Sequence, residues 1–154
     1  MEPDVISVPV PDREAPSVFL RSQTVEWPTE QAFFDQLDRE FHFTVDVAAT
    51  VENAKCARFY DIDSDGLMQD WDGEVVWCNP PYGDRIKDWI YKAATSAATT
   101  VLLVPSRTDV KWFHEIVIGR AEVRFVKGRL RFGDSKDFAP FPSMLVIFRN
   151  GGDR

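Results

Sequence analysis

Histidine and cysteine, the side chains that most often carry metal or nucleophilic chemistry, are nearly missing from this 154-residue chain, with two of each. His42, Cys56, Cys78 and His114 follow none of the spacings of a zinc site, and no Ser/His/Asp or Cys/His arrangement is evident. No metal is expected. So few cysteines exclude a disulfide scaffold and suit reduced thiols in a cytoplasm. Long apolar runs are also absent, which excludes a membrane-spanning helix. Met1 to Pro16 carries acids where a secretory leader needs basic and apolar residues, so no leader is expected. Basic charge is in short supply: 18 Lys and Arg stand against 25 Asp and Glu, and the net charge of −7 argues at first against a nucleic-acid partner. There is no internal repeat and no low-complexity tract.

The placement of the charges points the other way. Residues 1–77 hold 17 acids against 5 bases, whereas residues 78–154 hold 8 against 13. A basic half can face an anionic partner while the acidic half keeps the chain soluble. Between Arg120 and Arg131 lie Arg120, Arg124, Lys127, Arg129 and Arg131 with one acid, Glu122. Alternation along a strand predicts Lys127, Arg129 and Arg131 on one side, as a phosphate track requires, and Arg107 is a further cation just past a strand. The bland counterpart is an edge strand guarded by charge. Aromatics are plentiful, 12 Phe and 5 Trp in a composition that is 44% hydrophobic, which predicts one domain with an aromatic-rich core.

Residues 1–24 mix Pro, Ser and charge without period and read as a flexible arm or strap, leaving 25–150 as the folded domain. Phe33, Phe34, Leu37 and Phe41 recur at helical spacing, with Thr29 as the expected N-cap. Phe43 to Val47 reads as a strand ending on the acid Asp46, and a short strand is expected around Arg58-Phe59-Tyr60. Asp61 to Asp72 is an acidic loop; a calcium loop is excluded because the closing Glu is missing. Val75 to Cys78 is a buried strand, Asp84 to Ala98 a helix with Ile86, Trp89, Ile90 and Ala93 on one face, and Thr100 to Pro105 another strand. Trp112, Phe113 and Ile116 mark a further helix. Ala121 to Phe132 reads as a hairpin or bent strand, and Ser143 to Phe148 as the last strand. Strands alternating with helices predict an α/β fold with a mainly parallel sheet.

Asn79-Pro80-Pro81-Tyr82 follows the strand Val75 to Cys78, at the sheet edge where open α/β sheets place ligands. The prolines withhold their N–H groups, so Pro80 and Pro81 act only as acceptors, and Asn79 adds an amide oxygen. An exocyclic amino group can give one proton to the Asn79 side chain and one to the Pro80 carbonyl. Its lone pair is then localised and aimed at an electrophile. Tyr82 supplies a flat face for a base or amide. Taken alone, the four residues also describe an ordinary turn.

Trp27-Pro28-Thr29, Phe43-Thr44-Val45-Asp46-Val47-Ala48-Ala49, Asp65-Gly66-Leu67, Asn79-Pro80-Pro81-Tyr82-Gly83, Trp112-Phe113-His114, Lys127-Gly128-Arg129 and Phe141-Pro142-Ser143 occur in one order. From about Trp27 to Phe148 this series strongly resembles the phage-type DNA N6-adenine methyltransferases. The resemblance implies a Rossmann-like, S-adenosylmethionine-dependent fold that methylates N6 of adenine in double-stranded DNA, inside a bacterial host. It implies that Trp27, Thr29, Asp46, Ala48, Asp65, Leu67 and Asn79 bind the cofactor. In this scheme Trp27-Pro28-Thr29 closes over its methionine end, Asp46 holds its α-amino group, Asp65 accepts from its adenine and Leu67 packs on the ring. Asn79, Pro80, Pro81 and Tyr82 serve the flipped target base, and Arg107, Lys127, Arg129 and Arg131 serve DNA. Singly, Trp27 reads as core, Asp46 as a cap and Asp65 as a turn residue. One departure stands out: Val47-Ala48-Ala49-Thr50 has no glycine where many methyltransferases carry a glycine-rich loop, and Glu52 and Asn53 are the candidates for the ribose. Two rivals remain: a glutamine-N5 protein methyltransferase using the same turn, and a nucleic-acid-binding protein that keeps the scaffold without catalysis.

Overall fold

The computed structural model describes residues 24–25, of which only the backbone, 28–131 and 138–151. In chain order the elements are β1 (Thr24–Val25), α1 (Gln31–Phe41), β2 (Val45–Asp46), β3 (Val75–Cys78), β4 (Tyr82–Gly83), α2 (Ile86–Thr95), β5 (Thr99–Pro105), β6 (Glu122–Phe125) and β7 (Ser143–Arg149). A 3-10 turn at Gly66–Met68 and a π-helical turn at Phe113–Val117 complete them.

Five strands form one sheet in the order β2-β3-β5-β7-β6. The pairings β2–β3 and β3–β5 are parallel, while β5–β7 and β6–β7 are antiparallel. This corrects the expectation of a mainly parallel sheet. The sheet is mixed, and its longest ladder, Thr99–Pro105 against Ser143–Arg149, is antiparallel. The reason is that β7 inserts between β5 and β6 and runs against both. β2, β3, β5 and β6 therefore all point the same way, and the segments that follow them emerge at one end of the sheet.

The alternation of the strands sorts side chains to two faces. Val101 and Leu103 of β5 join Trp77, Leu145 and Ile147 under Phe34 and Leu37 of α1. Leu102 and Val104 join Val76, Cys78, Met144, Val146 and Phe148 under Ile86, Trp89, Ile90 and Ala93 of α2, together with Phe113 and Val117. Aromatic rings serve both faces; on the first, the Phe34 ring lies 5.2 Å from Trp77, edge-on, and 5.4 Å from Phe43, stacked. Helix α1 stops at His42, whose left-handed φ of 58° lets its amide reach the Asp38 carbonyl at 2.8 Å.

Strand β6 is shorter than the alternation of residues 121–132 predicts. Gly128, at φ +77°, turns the chain after Phe125, so Lys127, Arg129 and Arg131 do not share one strand face. All three are nonetheless exposed. Arg124 belongs to the frame instead: it clasps Glu40 of α1 with bonds of 2.8 and 2.9 Å and Glu122 at 2.7 Å. Glu122 also receives Arg149. This network ties α1 to the β6–β7 edge.

Candidate active site at the carboxyl end of the sheet

A cavity of about 270 Å³ opens at the end of the sheet where β2 and β3 finish. Its walls include Thr29, Asp46, Ala48, Asp65, Leu67, Asn79 and Pro81, drawn from four separate stretches of sequence. Seven of the residues singled out from sequence are thus brought together. Trp27 lies outside the described residues. Pro80 is buried and, like Tyr82, is not part of the cavity wall.

Asp46 is the chemical anchor. Only 2% of it is exposed, and its backbone is pinned on both sides, its N–H donating to the Arg58 carbonyl and its carbonyl accepting from Tyr60. One carboxylate oxygen accepts from the Ala48 N–H at 3.3 Å and the other from the Lys55 N–H at 2.9 Å. Loss of hydration outweighs these two bonds, and burial pushes the carboxyl up to about 6. A buried acid of this kind on a cavity wall is a fitting partner for a cation.

Across the strand pair, Asn79 directs its Nδ2 to the hydroxyl of Thr29 at 3.0 Å. Thr29 was expected to cap α1, but Glu30 occupies the N-cap position and no side chain caps that helix. Thr29 as a residue is 3% exposed, and its hydroxyl meets the Asn79 side chain instead. Tyr82 also departs from expectation. Its ring is buried, its hydroxyl donates to the Leu103 carbonyl at 3.1 Å, and it meets Phe141 edge-on at 5.3 Å. It anchors the turn to β5 rather than offering a free face to the cavity, because the hydroxyl finds its acceptor only by turning inward.

The missing glycine of the β2 loop reappears elsewhere. Gly66 packs so closely on the Val47 carbonyl that an added Cβ would sit 2.0 Å from the oxygen. That approach lets the Asp65–Leu67 turn close the cavity against β2, where a glycine-rich loop would otherwise provide room. The turn is held by Trp71, whose indole N–H donates to the Gly66 carbonyl at 2.9 Å. Asp65 itself sits at φ 58° and accepts from the Leu67 N–H.

Several wall residues were not foreseen: Lys55, Tyr60, Asp61, Ile62 and Arg85. Asp61 was legible in principle. It follows the Arg58–Tyr60 stretch, which bridges β2 in parallel through Asp46 and Phe59, so the strand-end logic that marks Asp46 marks Asp61 too. The Ser64 amide and hydroxyl, both at 2.9 Å, hold its carboxyl below the usual range. Of the two ribose candidates, Asn53 lines the cavity and Glu52 does not. Neither thiol is a nucleophile: burial pushes Cys56 up to about 12 and Cys78 well above its ordinary value. Among the described residues no set of three or more His, Cys, Asp or Glu could hold a metal, and no helix is long and apolar enough to cross a membrane.

The cations expected at DNA lie at the same end of the sheet. Arg107 follows β5 and stands 3.7 Å from Asp109. Arg129 reaches the Ala139 carbonyl at 3.5 Å, and Arg131 rests over the Phe138 ring at 4.6 Å, with Glu30 at 4.0 Å.

Comparison with known proteins adds an independent line. The family model described as DNA N-6-adenine-methyltransferase (Dam) matches residues 17–152. A protein of Haemophilus phage HP1 (strain HP1c1), named DNA N-6-adenine-methyltransferase, is 28% identical over 134 residues, covering 79% of this chain and 77% of that protein. A protein of the same name from Escherichia phage T1 is 28% identical over 109 residues, 68% of this chain but 45% of the relative, so the match spans less than half of that longer protein.

Proposed function

The chain belongs to the DNA N-6-adenine-methyltransferase (Dam) family, and on that premise we propose that it transfers a methyl group from S-adenosylmethionine to the N6 amino group of adenine in double-stranded DNA. The observation that carries the reading is that a buried acid, Asp46, and the amide of Asn79 line one cavity at adjoining strand ends. The first suits the ammonium of an amino-acid-bearing cofactor and the second suits an amino group. On this reading the fold is the Rossmann-like methyltransferase arrangement, which the two helical layers about one sheet support. The catalytic domain spans about 25–150, with 1–24 an arm; the family match from residue 17 favours a somewhat earlier start.

When bound, S-adenosylmethionine supplies an activated sulfonium methyl. The donor set fits it: Asp46 would take the α-ammonium through a charge-assisted bond, Asp61 and Asn53 would hold the ribose, and Asp65 and Leu67 would receive the adenine. Thr29 and Ala48 complete the wall. Asn79 Oδ1 and the Pro80 carbonyl accept the two protons of the target amino group, while Pro81 walls the cavity beside them. Adenine N6 is conjugated with its ring and is a weak nucleophile, so alignment and lone-pair localisation count for more than a strong base. Ideal positioning can lower a barrier by about 7–11 kcal/mol. The target lies within a stacked duplex and must be turned out at a cost of a few kcal/mol. Arg107, Lys127, Arg129 and Arg131 hold the phosphates meanwhile. The whole reaction proceeds in the cytoplasm of a bacterial host.

Transfer of labelled methyl from the cofactor to duplex DNA tests the reading, with protein substrate as the competing arm. Label in a protein glutamine would install the glutamine-N5 reading, and absence of cofactor binding by calorimetry would leave a DNA-binding scaffold. Sequencing DNA from expressing cells for N6-methyladenine would give the target sequence together with the activity.

A further inference from the structure

Two points of the chain before α1 meet the Asn79–Gly83 turn. At one, β1 pairs with β4, Thr24 opposite Gly83 and Val25 opposite Tyr82. At the other, the buried Thr29 hydroxyl accepts from Asn79 Nδ2 at 3.0 Å across 50 residues of sequence. This hydroxyl does not cap helix α1, which has no side-chain cap, and toward Asn79 it acts as the acceptor.

An asparagine amide has two ends of opposite polarity and nearly equal shape. Turned one way it offers an oxygen; turned the other it offers two N–H groups, which repel an amino group. The Asn79–Pro80 turn works on an amino donor only in the first orientation. We infer that Thr29 is a positioning residue for methyl transfer: its hydroxyl fixes the amide of Asn79 so that Oδ1, and not Nδ2, meets the target nitrogen. The inference rests on the reading of Asn79 as the amino-group acceptor. It also gives Thr29 a task beyond closing over the cofactor, because the acceptor geometry then depends on its contact with Asn79.

Three variants test it: Thr29→Val, which keeps shape and removes the acceptor, Thr29→Ser, which restores it, and Thr29→Ala in case valine is not accommodated. Each is measured for kcat with duplex DNA and for the dissociation constant of S-adenosylhomocysteine by calorimetry. With the acceptor gone, the Thr29 bond that favours the productive orientation is lost, and kcat is expected to fall about three- to tenfold, the kinetic equivalent of one hydrogen bond. Cofactor-product affinity should fall by clearly less than kcat, and serine should recover most of the rate. Wild-type kcat in both Thr29→Val and Thr29→Ala overturns the inference. So does a loss of kcat matched by equally weakened S-adenosylhomocysteine, which would make Thr29 a cofactor contact only. A readout independent of turnover separates this from the functional reading: nitrogen-15 NMR of the side-chain amides of Asn53, Asn79 and Asn150, the chain's three asparagines. The Asn79 signal should shift in Thr29→Val and return in Thr29→Ser. If the wild type methylates no DNA, the functional reading fails while this comparison still judges the Thr29–Asn79 coupling; an Asn79 signal indifferent to Thr29 overturns it.

Discussion

Lowering the pH from 7 to 5 should weaken cofactor binding and stabilise the empty protein at the same time. Both effects trace to the Asp46 carboxyl, which burial raises from 3.8 to about 6. The sign is the reverse of the usual carboxylate. A group whose folded pKa lies above its unfolded one binds its proton more tightly in the fold, so stability from this group is fully present below the unfolded value and is lost as pH rises through about 6. The shift corresponds to about 3 kcal/mol between the two limits, at 1.36 kcal/mol per unit. The carboxyls held below their ordinary range, Glu40, Asp61, Glu74 and Glu122, act in the opposite direction but only at more acid pH. Between about pH 4 and 6, Asp46 therefore dominates among these groups. The ammonium of a bound cofactor requires the ionised form. One unit below its pKa only about a tenth of Asp46 is charged, so the dissociation constant of S-adenosylhomocysteine should be flat above pH 7 and rise about tenfold per unit below 6. The ligand's own amine does not titrate there. Calorimetric titrations at half-unit steps from pH 5 to 8 give the profile, and a thermal melt of the ligand-free protein over the same range gives the counter-trend. Asp46→Asn should flatten the binding profile and weaken binding by about 1.5–3 kcal/mol. A wild-type profile that is flat from 5 to 8 would refute both the partner assigned to Asp46 and the burial argument behind it.

Asn79→Ala should abolish methyl transfer while leaving S-adenosylhomocysteine affinity within a few-fold, as read by the labelled-methyl assay and calorimetry; joint loss in a folded variant would move Asn79 to the cofactor alone. Gly66→Ala should lower the melting temperature by several degrees and weaken the cofactor, because the new Cβ would lie 2.0 Å from a backbone oxygen that cannot swing aside. An unchanged melt would show that the Asp65–Leu67 turn is not docked on β2. Replacing Lys127, Arg129 and Arg131 together by Ala should weaken DNA of any sequence and flatten the plot of log affinity against log salt by about 0.9 for each phosphate no longer neutralised. The melting temperature should hardly move, since exposed charges contribute little to folding. A slope equal to wild type would shift the DNA surface toward Arg107.

Local chemistry along the chain is enough to dictate several of the elements. The helical spacing of Phe33, Phe34, Leu37 and Phe41, the apolar runs at 75–78, 100–105 and 143–148, and the acid and amide placed just where strands end all follow from periodicity and turn residues. Which strands become neighbours does not follow in that way. Strand direction depends on partners far away, and only the assembled sheet reveals that β7 runs against β5 and β6 and makes the sheet mixed. The same holds for side chains whose partners are distant. Thr29 looks like a helix cap from its neighbours, yet its hydroxyl is claimed by Asn79; Tyr82 looks like an exposed platform, yet the Leu103 carbonyl draws it inward. The regular alternation of Lys127, Arg129 and Arg131 predicts a strand face, but Gly128 breaks it with a positive φ that a pattern of charges does not announce. And the close approach expected of a glycine after the first strand is supplied by Gly66, nineteen positions beyond the Val47 carbonyl it touches. Hydrophobic period and turn chemistry act over a few residues, whereas a hydrogen-bond partner or a backbone contact is fixed by packing, and packing is settled only when the layers close.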